Sequence, residues 1–474
     1  MVMGEFSQET DLAIIGGGPG GYAAAFRAAD LGLDVTLIDK GGRPGGVCLF
    51  RGCIPSKTLL HAAEVISEAS RSAQMGIKFS DPEIDLEALR KWKNRTVDKL
   101  AKGLTNLCEK RGVEFVQARA VFEDSQTLRL LDSDSDISRV KFRDAIIATG
   151  STPRNLPDVD INGEGRIMDS TSALELNDIP PKLLVVGGGY VGVELGSVYS
   201  VLGSRVTLVE MTEGLMPGAD RDLVKPLQKT LKDLFEAIYL NTKVDELKEH
   251  RDRVEVRLSG EAEKAEQAFD RVLVAIGRRP NSDNLELGKT NVEVDPDGYI
   301  VVDDRQRTSD RHIYAVGDVA GGVMLAHKAM FEGRVAAEVM KDLPAAFDAR
   351  AIPAVVYTNP QLAWCGLTET QAGRQNRSVK VSRFPWSASG RAATMGIAEG
   401  LTKMIIDPEN GQILGVGIVG RDAGEMISEG VLAVELGALA EDVALSMHPH
   451  PTLSESEEEA AEAFLGSATH ILST

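Results

Sequence analysis

Two stretches of this 474-residue chain follow one hydrophobic plan. DLAIIGGGPGGYAAAFRAADLGLDVTLID (11–39) and KLLVVGGGYVGVELGSVYSVLGSRVTLVE (182–210) each pass from an apolar strand through a glycine turn into a helix of small residues. Both leave that helix at Leu-Gly and enter a second apolar strand that ends in an acid, Asp39 or Glu210. Continuous apolar runs on either side of a helix mark strands buried on both faces, so each stretch predicts a βαβ unit. Two such units predict an α/β chain with two doubly wound domains.

The turns narrow the picture. Gly16, Gly18 and Gly21 follow G-x-G-x-x-G directly after the first strand, and Gly187, Gly189 and Gly192 repeat it in the second unit. One glycine makes the tight turn, one admits backbone close to a pyrophosphate, and one allows close helix-strand packing. Asp39 and Glu210 then stand where ribose hydroxyls are bound; an acid there repels a 2′-phosphate, so the second site is expected to take NAD rather than NADP. A single fingerprint of this kind is weak, but two in full strand-turn-helix-strand-acid context predict two dinucleotides with electron traffic between them, typically a flavin and a nicotinamide.

Further apolar segments, AIIATGS (145–151), VLVAIGRRPN (272–281) and IYAVGDV (313–319), also run into glycine turns, and Asp318 is placed to hydrogen-bond a sugar or ribityl chain. After about residue 345 the pattern changes. A Pro-marked entry, AVVYT, the strands KMIID (403–407) and ILGVGIVG (413–420), and the helix EMISEGVLAVELGA (425–438) predict an α+β domain without a nucleotide signature.

Composition removes several function classes. Lys and Arg number 52 against 71 Asp and Glu, a net charge of −19, the opposite of a nucleic-acid footprint. MVMGEFSQETDLAIIGGG lacks the basic-then-apolar order of a secretory leader and is too short to span a bilayer, so a cytoplasmic protein without a membrane span is expected. Four cysteines make no disulfide framework. Cys108 and Cys365 stand alone with no second C-x-x-C and no nearby His, which argues against zinc and leaves them as small buried hydrophobes; no metal is expected. The other two share GGVCLFRGCIPSK (45–57), where a close pair in a reducing cytosol points to catalysis. An apparent helix, SKTLLHAAEVISEAS (56–70), follows them and places the second sulfur near a positive helix end that favours thiolate.

This segment resembles the flavin-dependent disulfide oxidoreductases, and Gly45, Gly46, Cys48, Gly52, Cys53, Ile54, Pro55, Ser56 and Lys57 match the family's cysteine motif. MLAHKAMFEG (324–333), VVYTNPQLAWCGLTE (355–369), FPWSASGRA (384–392) and MHPHPTLSE (447–455) are similar to the branch that oxidises dihydrolipoamide, and the likeness runs from about residue 8 to 467. Glutathione-type relatives usually carry Lys where Ser56 stands, and mercury-type relatives end in a paired-cysteine tail that HILST lacks. The resemblance implies residues 1–150 as an FAD-binding part, 151–281 as an NAD-binding domain, 282–348 as a central part returning to FAD, and 349–474 as a dimerisation domain.

Its implied chemistry is oxidation of protein-bound dihydrolipoamide with hydride transfer to NAD⁺, on a lipoylated carrier, by a homodimer. Cys48 would exchange with substrate and Cys53 would stand against the flavin; His450 would be the base, oriented by Glu455, and would reach the disulfide of the other subunit. FAD would be bound by Gly16, Gly18, Gly21, Asp39, Lys57, Ala118, Gly150, Asp318 and Ala326, and NAD by Gly187, Gly189, Gly192, Glu194, Glu210, Val244 and Gly277. Lys57 and Glu194 are implied as an ion pair, while His448 is open between packing and catalysis. The same chemistry on another lipoyl carrier, or another disulfide reductase, is the alternative. Three departures stand out: Phe50 and Arg51 between the cysteines, Gln361 and Cys365 in place of usual Glu and Val, and an acidic SESEEEAAEAF (454–464) that is either a basic-carrier face or a solvated surface.

Overall fold

The computed structural model describes residues 6–133, 136–157, 159, 161 and 165–472; the first residues of the N-terminal segment lie outside them. The first sheet centres on Phe6–Ile15, with Val35–Asp39 and Ile137–Ile147 parallel on its two sides. Glu114–Gln117 extends it beyond Val35–Asp39, and Ile313–Ala315 adds to Ile137–Ile147, both parallel. Ile15 lies opposite both Ile38 and Ile147, so three strands end together beside the Gly16 turn. That shared carboxyl edge is where open α/β sheets bind ligands.

Small residues set the depth of this layer. The helix Pro19–Asp30 packs on the helix Ala326–Val339, and a Cβ on Gly333 would lie 2.4 Å from the Gly20 carbonyl oxygen. The Ala-rich face of the first helix exists for this close approach.

The second unit repeats the plan. Lys182–Val186 lies between Arg205–Val209 and Arg271–Val274, all parallel, with Val186 opposite both Val209 and Val274 beside the Gly187 turn. Ala237–Tyr239 and Ile167–Met168 complete the sheet. An antiparallel meander, Thr242–Glu249, Val254–Gly260 and Glu266–Phe269, packs beside it, and Ser151–Pro153 pairs with Arg278–Pro280 where the chain enters and leaves the unit.

The last sheet is antiparallel, in the order Ala354–Val356, Gln361–Gly366, Ile413–Gly420, Leu401–Ile406, Lys380–Pro385. It packs the helices Ala423–Leu436 and Glu455–Leu465, as its alternation of core residues with Gly requires. A fully buried ammonium joins it to the second unit: Lys403 Nζ lies 2.9 Å from Asp220, Asp222 and Glu369. Those three carboxylates have the spacing of a cation site, and the lysine fills it. Burial alone would raise Asp220, but the bond from Lys403 and the amides of Thr370 and Glu369 hold it below its usual range. Lys403→Met leaves buried Asp220 without a cation and only Arg383 beside Asp222 and Glu369, and is expected to cost about 3–5 kcal/mol. Chemical denaturation would show it as earlier unfolding of the variant, and an unchanged midpoint would refute the assignment.

No helix among the described residues is long and apolar enough to cross a membrane.

Candidate active site

The cysteine segment rests directly on the first glycine turn. Gly45 donates its N–H to the Gly17 carbonyl at 2.7 Å, and a Cβ on Gly46 would lie 2.5 Å from Gly18 Cα. Gly45 and Gly46 have φ of +142° and +59°, values that suit glycine and let the chain turn at this contact. Cys48 then lies on the short helix Gly46–Arg51, and Gly52 breaks that helix so that Cys53 opens the next, Cys53–Arg71. The second helix therefore starts three residues earlier than the sequence suggests, and one of the thiols sits in its first turn.

Cys48 and Cys53 are partly buried free thiols whose interaction pushes their titrations apart. The bond from Cys48 lowers the Cys53 thiol; burial opposes it, and the Lys57 cation and the backbone at the helix start add to the lowering, which reaches about 7. Cys48 is driven strongly the other way by the same bond and by burial. The pair is polarised: Cys53 holds the negative charge and Cys48 keeps the proton.

Lys57 is itself held. Its Nζ meets Glu194 Oε2 at 2.8 Å and lies 4.7 Å from the centre of the Tyr357 ring, while Glu194 Oε1 accepts the Tyr357 N–H at 2.9 Å. Glu194 is 2 % exposed. It rides on the helix Tyr190–Val201 of the second unit, yet its carboxylate serves the cysteine side, apart from the other residues grouped with NAD. Tyr357 lies in the 355–369 segment that resembles the family, but nothing local in that segment places it beside Lys57; only the fold brings it here.

Both glycine turns fit a dinucleotide. A Cβ on Gly16 or Gly21 would fall 2.3 Å or 1.8 Å from backbone oxygen, and on Gly187 or Gly192 2.4 Å or 2.1 Å. By contrast, a Cβ on the middle glycine of each turn has room: at Gly18 its nearest neighbour is 3.9 Å away, and at Gly189 nothing lies within 4 Å. Outer glycines thus serve packing and middle ones leave space for a ligand. Gly18 and Gly189 are also the N-caps of their helices, with no side-chain cap and no acid in either first turn, so the N–H groups remain available to phosphate.

The acids brace these turns. Asp39 accepts the N–H of Gly17 and of Gly41 at 2.6 Å each; Glu210 accepts that of Gly188 at 2.7 Å and of Thr212 at 2.8 Å. Ala118 donates its N–H to the Asp39 carbonyl, and Gly150 has φ of +71° and accepts from the Asn281 N–H. Asp318 accepts from Ser151 Oγ at 2.5 Å, and Ala326 opens the helix that packs on Pro19–Asp30. Around the second turn, Gly277 has φ of +111° with open space where a Cβ would be, and Val244 lies half-buried on the meander.

His450 stands away from this group. Its Nδ1 is 2.7 Å from Glu455 Oε1, and Glu455 Oε2 accepts the Thr452 N–H at 2.6 Å, which fixes the carboxylate. The side chain is 70 % exposed, and among the described residues Nε2 makes no hydrogen bond. His450 and Glu455, expected as base and orienter, are together; Cys48 and Cys53 are not brought to His450 within the described contacts of one chain.

The departures resolve in physical terms. Phe50 packs with Ile54 and Leu104 against Leu49, Val97 and Ala101, and Arg43 stacks 5.2 Å from its ring centre. Arg51 is exposed, and Lys57 is the cation that lowers Cys53. Arg51→Val is therefore expected to leave dithiol turnover within about twofold, while Phe50→Asn costs about 1–2 kcal/mol of stability through lost apolar contact. Steady-state rates and thermal melts check both, and a tenfold rate change in Arg51→Val would contradict the placement. Gln361 accepts the Gly424 N–H at 2.9 Å near the start of Ala423–Leu436. Cys108 and Cys365 are buried thiols pushed up to about 11 and about 12 by burial, consistent with packing roles. The acidic helix is neither expected surface: Glu457 and Glu459 are buried, Glu455 holds His450, and Glu458 faces His448.

Comparison with known proteins agrees with this geometry. Residues 10–333 match the family model for pyridine nucleotide-disulphide oxidoreductases, and 352–461 match that family's dimerisation domain. The chain is 46 % identical to a dihydrolipoyl dehydrogenase of Haemophilus influenzae, over 98 % of this chain and 96 % of that protein. It is 42 % identical to a dihydrolipoyl dehydrogenase of Geobacillus stearothermophilus over the full length of both. Among solved structures, LpdA from Mycobacterium tuberculosis superposes with a TM-score of 0.89 at 25 % identity, covering 96 % of this chain and 99 % of that one. The HOCl-induced flavoprotein disulfide reductase RclA of Escherichia coli gives 0.84 at 28 % identity, over 95 % and 99 %. By its two matched domains and these full-length relatives, the chain belongs to the pyridine nucleotide-disulphide oxidoreductase family.

Proposed function

We propose that this chain oxidises dihydrolipoamide groups carried on a protein partner and passes the two electrons through Cys48 and Cys53 to NAD⁺. The observation that carries the reading is the pair of free thiols seated by Gly46 on the first dinucleotide turn, at the start of Cys53–Arg71. The 42–46 % identity to dihydrolipoyl dehydrogenases supports the dithiol substrate.

In the first half of the reaction the Cys48–Cys53 pair is a disulfide. His450 takes the proton of one substrate thiol, and the thiolate attacks Cys48 sulfur. The Cys48–Cys53 bond breaks, and Cys53 leaves as thiolate, favoured by the helix start and by Lys57. The second substrate thiol then displaces Cys48. Its proton passes to His450 as protonated His450 gives one to Cys48, and the substrate leaves as a cyclic disulfide. Two electrons now rest on Cys48 thiol and Cys53 thiolate, with one proton on His450.

FAD on the first turn, held by the residues around Gly16, Gly18, Gly21 and Asp39, supplies the two-electron carrier between this dithiol and NAD⁺ on the second turn. Glu194 keeps Lys57 beside Cys53 throughout, and Glu210 favours a ribose without a 2′-phosphate. The dimerisation domain supports a homodimer, in which the exposed His450 of one subunit serves the pair of the other. Turnover of dihydrolipoamide with NAD⁺, and then with NADP⁺, tests the reading: activity is expected with the first nucleotide and little with the second. A yellow, NADH-oxidising protein that leaves dihydrolipoamide untouched would overturn it.

A further inference from the structure

His448 is held at both of its ring nitrogens. Its ring is 7 % exposed, Nε2 lies 2.8 Å from Glu429 Oε1, and Nδ1 lies 2.7 Å from the Ser446 carbonyl with Glu458 Oε2 at 3.5 Å. A carbonyl and a carboxylate both accept only. Both ring nitrogens must therefore donate, and the ring is an imidazolium. Glu429 comes from the helix Ala423–Leu436, and Glu458 from Glu455–Leu465. The cation thus pins the loop between Ala440–Ala444 and Glu455–Leu465 to both helices, two residues before His450.

One acidic helix holds three histidines in this way. Glu455 takes His450, Glu458 faces His448, and Glu459 meets His470 at 2.5 Å. Glu457 is 1 % exposed, and its Oε1 has no hydrogen-bond partner. Burial and the nearby Glu429 push its carboxyl up, so it stays neutral and leaves His448 to balance Glu429 and Glu458. Glu455, Glu459 and Glu462 add further negative charge on Glu458. On the third packed element, Glu441 and Asp442 are exposed, and Asp442 caps the Leu439 N–H.

We propose that His448 is a positioning residue for dithiol oxidation: clamped as a cation between Glu429 and Glu458, it fixes the loop that aims the Glu455-held His450 at its substrate. This deepens the proposed function and rests on His450 being the base. A group raised by its partners contributes below its unfolded value and is lost as pH rises through its folded value. Although burial opposes it, the bonds to Glu429 and the Ser446 carbonyl raise His448, so the clamp opens on the alkaline side.

The test compares dihydrolipoamide oxidation with NADH-driven reduction of ferricyanide, which needs no thiol base, across pH in the flavin-loaded dimer. His448→Gln is expected to lower kcat/KM for dihydrolipoamide by ten- to a hundredfold, on the order of a misaimed base, to leave ferricyanide reduction unchanged, and to remove one alkaline limb. Glu429→Gln is expected to keep activity at low pH and to move that limb to lower pH, which holds even if the first variant folds poorly. Equal loss of both activities in His448→Gln with an unmoved limb in Glu429→Gln would overturn the proposal. His450→Gln run alongside separates the two readings. If it retains dithiol oxidation the base assignment fails; if it alone loses that activity, only the role of His448 fails.

Discussion

Cys48→Ser and Cys53→Ser are each expected to abolish dithiol-to-NAD⁺ turnover, by on the order of 10⁴-fold or more, because neither variant can form the disulfide that accepts the electrons. The two should nevertheless differ in reactivity. In Cys48→Ser the serine hydroxyl can still donate to Cys53, and Lys57 and the first turn of Cys53–Arg71 remain, so alkylation of Cys53 should begin at lower pH than that of an ordinary thiol. Its folded value lies below the ordinary 9.0, so the charge is present above that lowered value and is lost as pH falls through it. In Cys53→Ser the partner that drives Cys48 upward is gone, and its alkylation should return toward an ordinary thiol profile. Rates of iodoacetamide labelling against pH read both. Turnover above one per cent in either variant, or identical labelling profiles, would break the assignment of an exchange thiol and a charge-holding thiol.

Loss of the base should be nearly as severe and more selective. His450→Gln is expected to slow dihydrolipoamide oxidation by about 10²–10⁴-fold, the range for general-base removal, and to leave ferricyanide reduction by NADH intact. Glu455→Gln should cost less. It keeps the imidazole near its place but removes the carboxylate 2.7 Å from Nδ1 that orients the ring, so steady-state dihydrolipoamide oxidation should fall less than in His450→Gln. A mixed dimer decides where the base acts. Pairing a Cys48→Ser subunit with a His450→Gln subunit leaves one complete site if the base crosses between subunits, and about half of native activity should return. If both halves of the site belonged to one subunit, the mixed dimer would stay inactive.

The fold was legible because its signals are periodic and local. Strands expected at 403–407 and 413–420 appear as Leu401–Ile406 and Ile413–Gly420, and the helix expected at 425–438 as Ala423–Leu436. Apolar runs bounded by Gly and Pro mark where the chain can be straight, buried and then turned. The start of the helix after the cysteines was misplaced for a related reason: Pro55 is compatible with any position in a first turn, and the true break is the Gly52 backbone, which carries no side-chain mark.

The site divides along the same line. Local spacing marked the two dinucleotide turns and the thiol pair, because each rests on residues a few positions apart, whereas the pairing of His450 with Glu455 was read from the resemblance of MHPHPTLSE to the family. Tertiary structure alone decided what surrounds them. It brought Glu194 and Tyr357 to Lys57 from two other parts of the chain, and it sent Phe50 into the Val97–Ala101 face rather than over the sulfurs. It also turned the acidic run of Glu455–Leu465 inward onto three histidines, which no charge count predicts. A carboxylate is soluble, paired or neutral according to which side of its helix meets the core, and that is set by packing between segments distant in sequence.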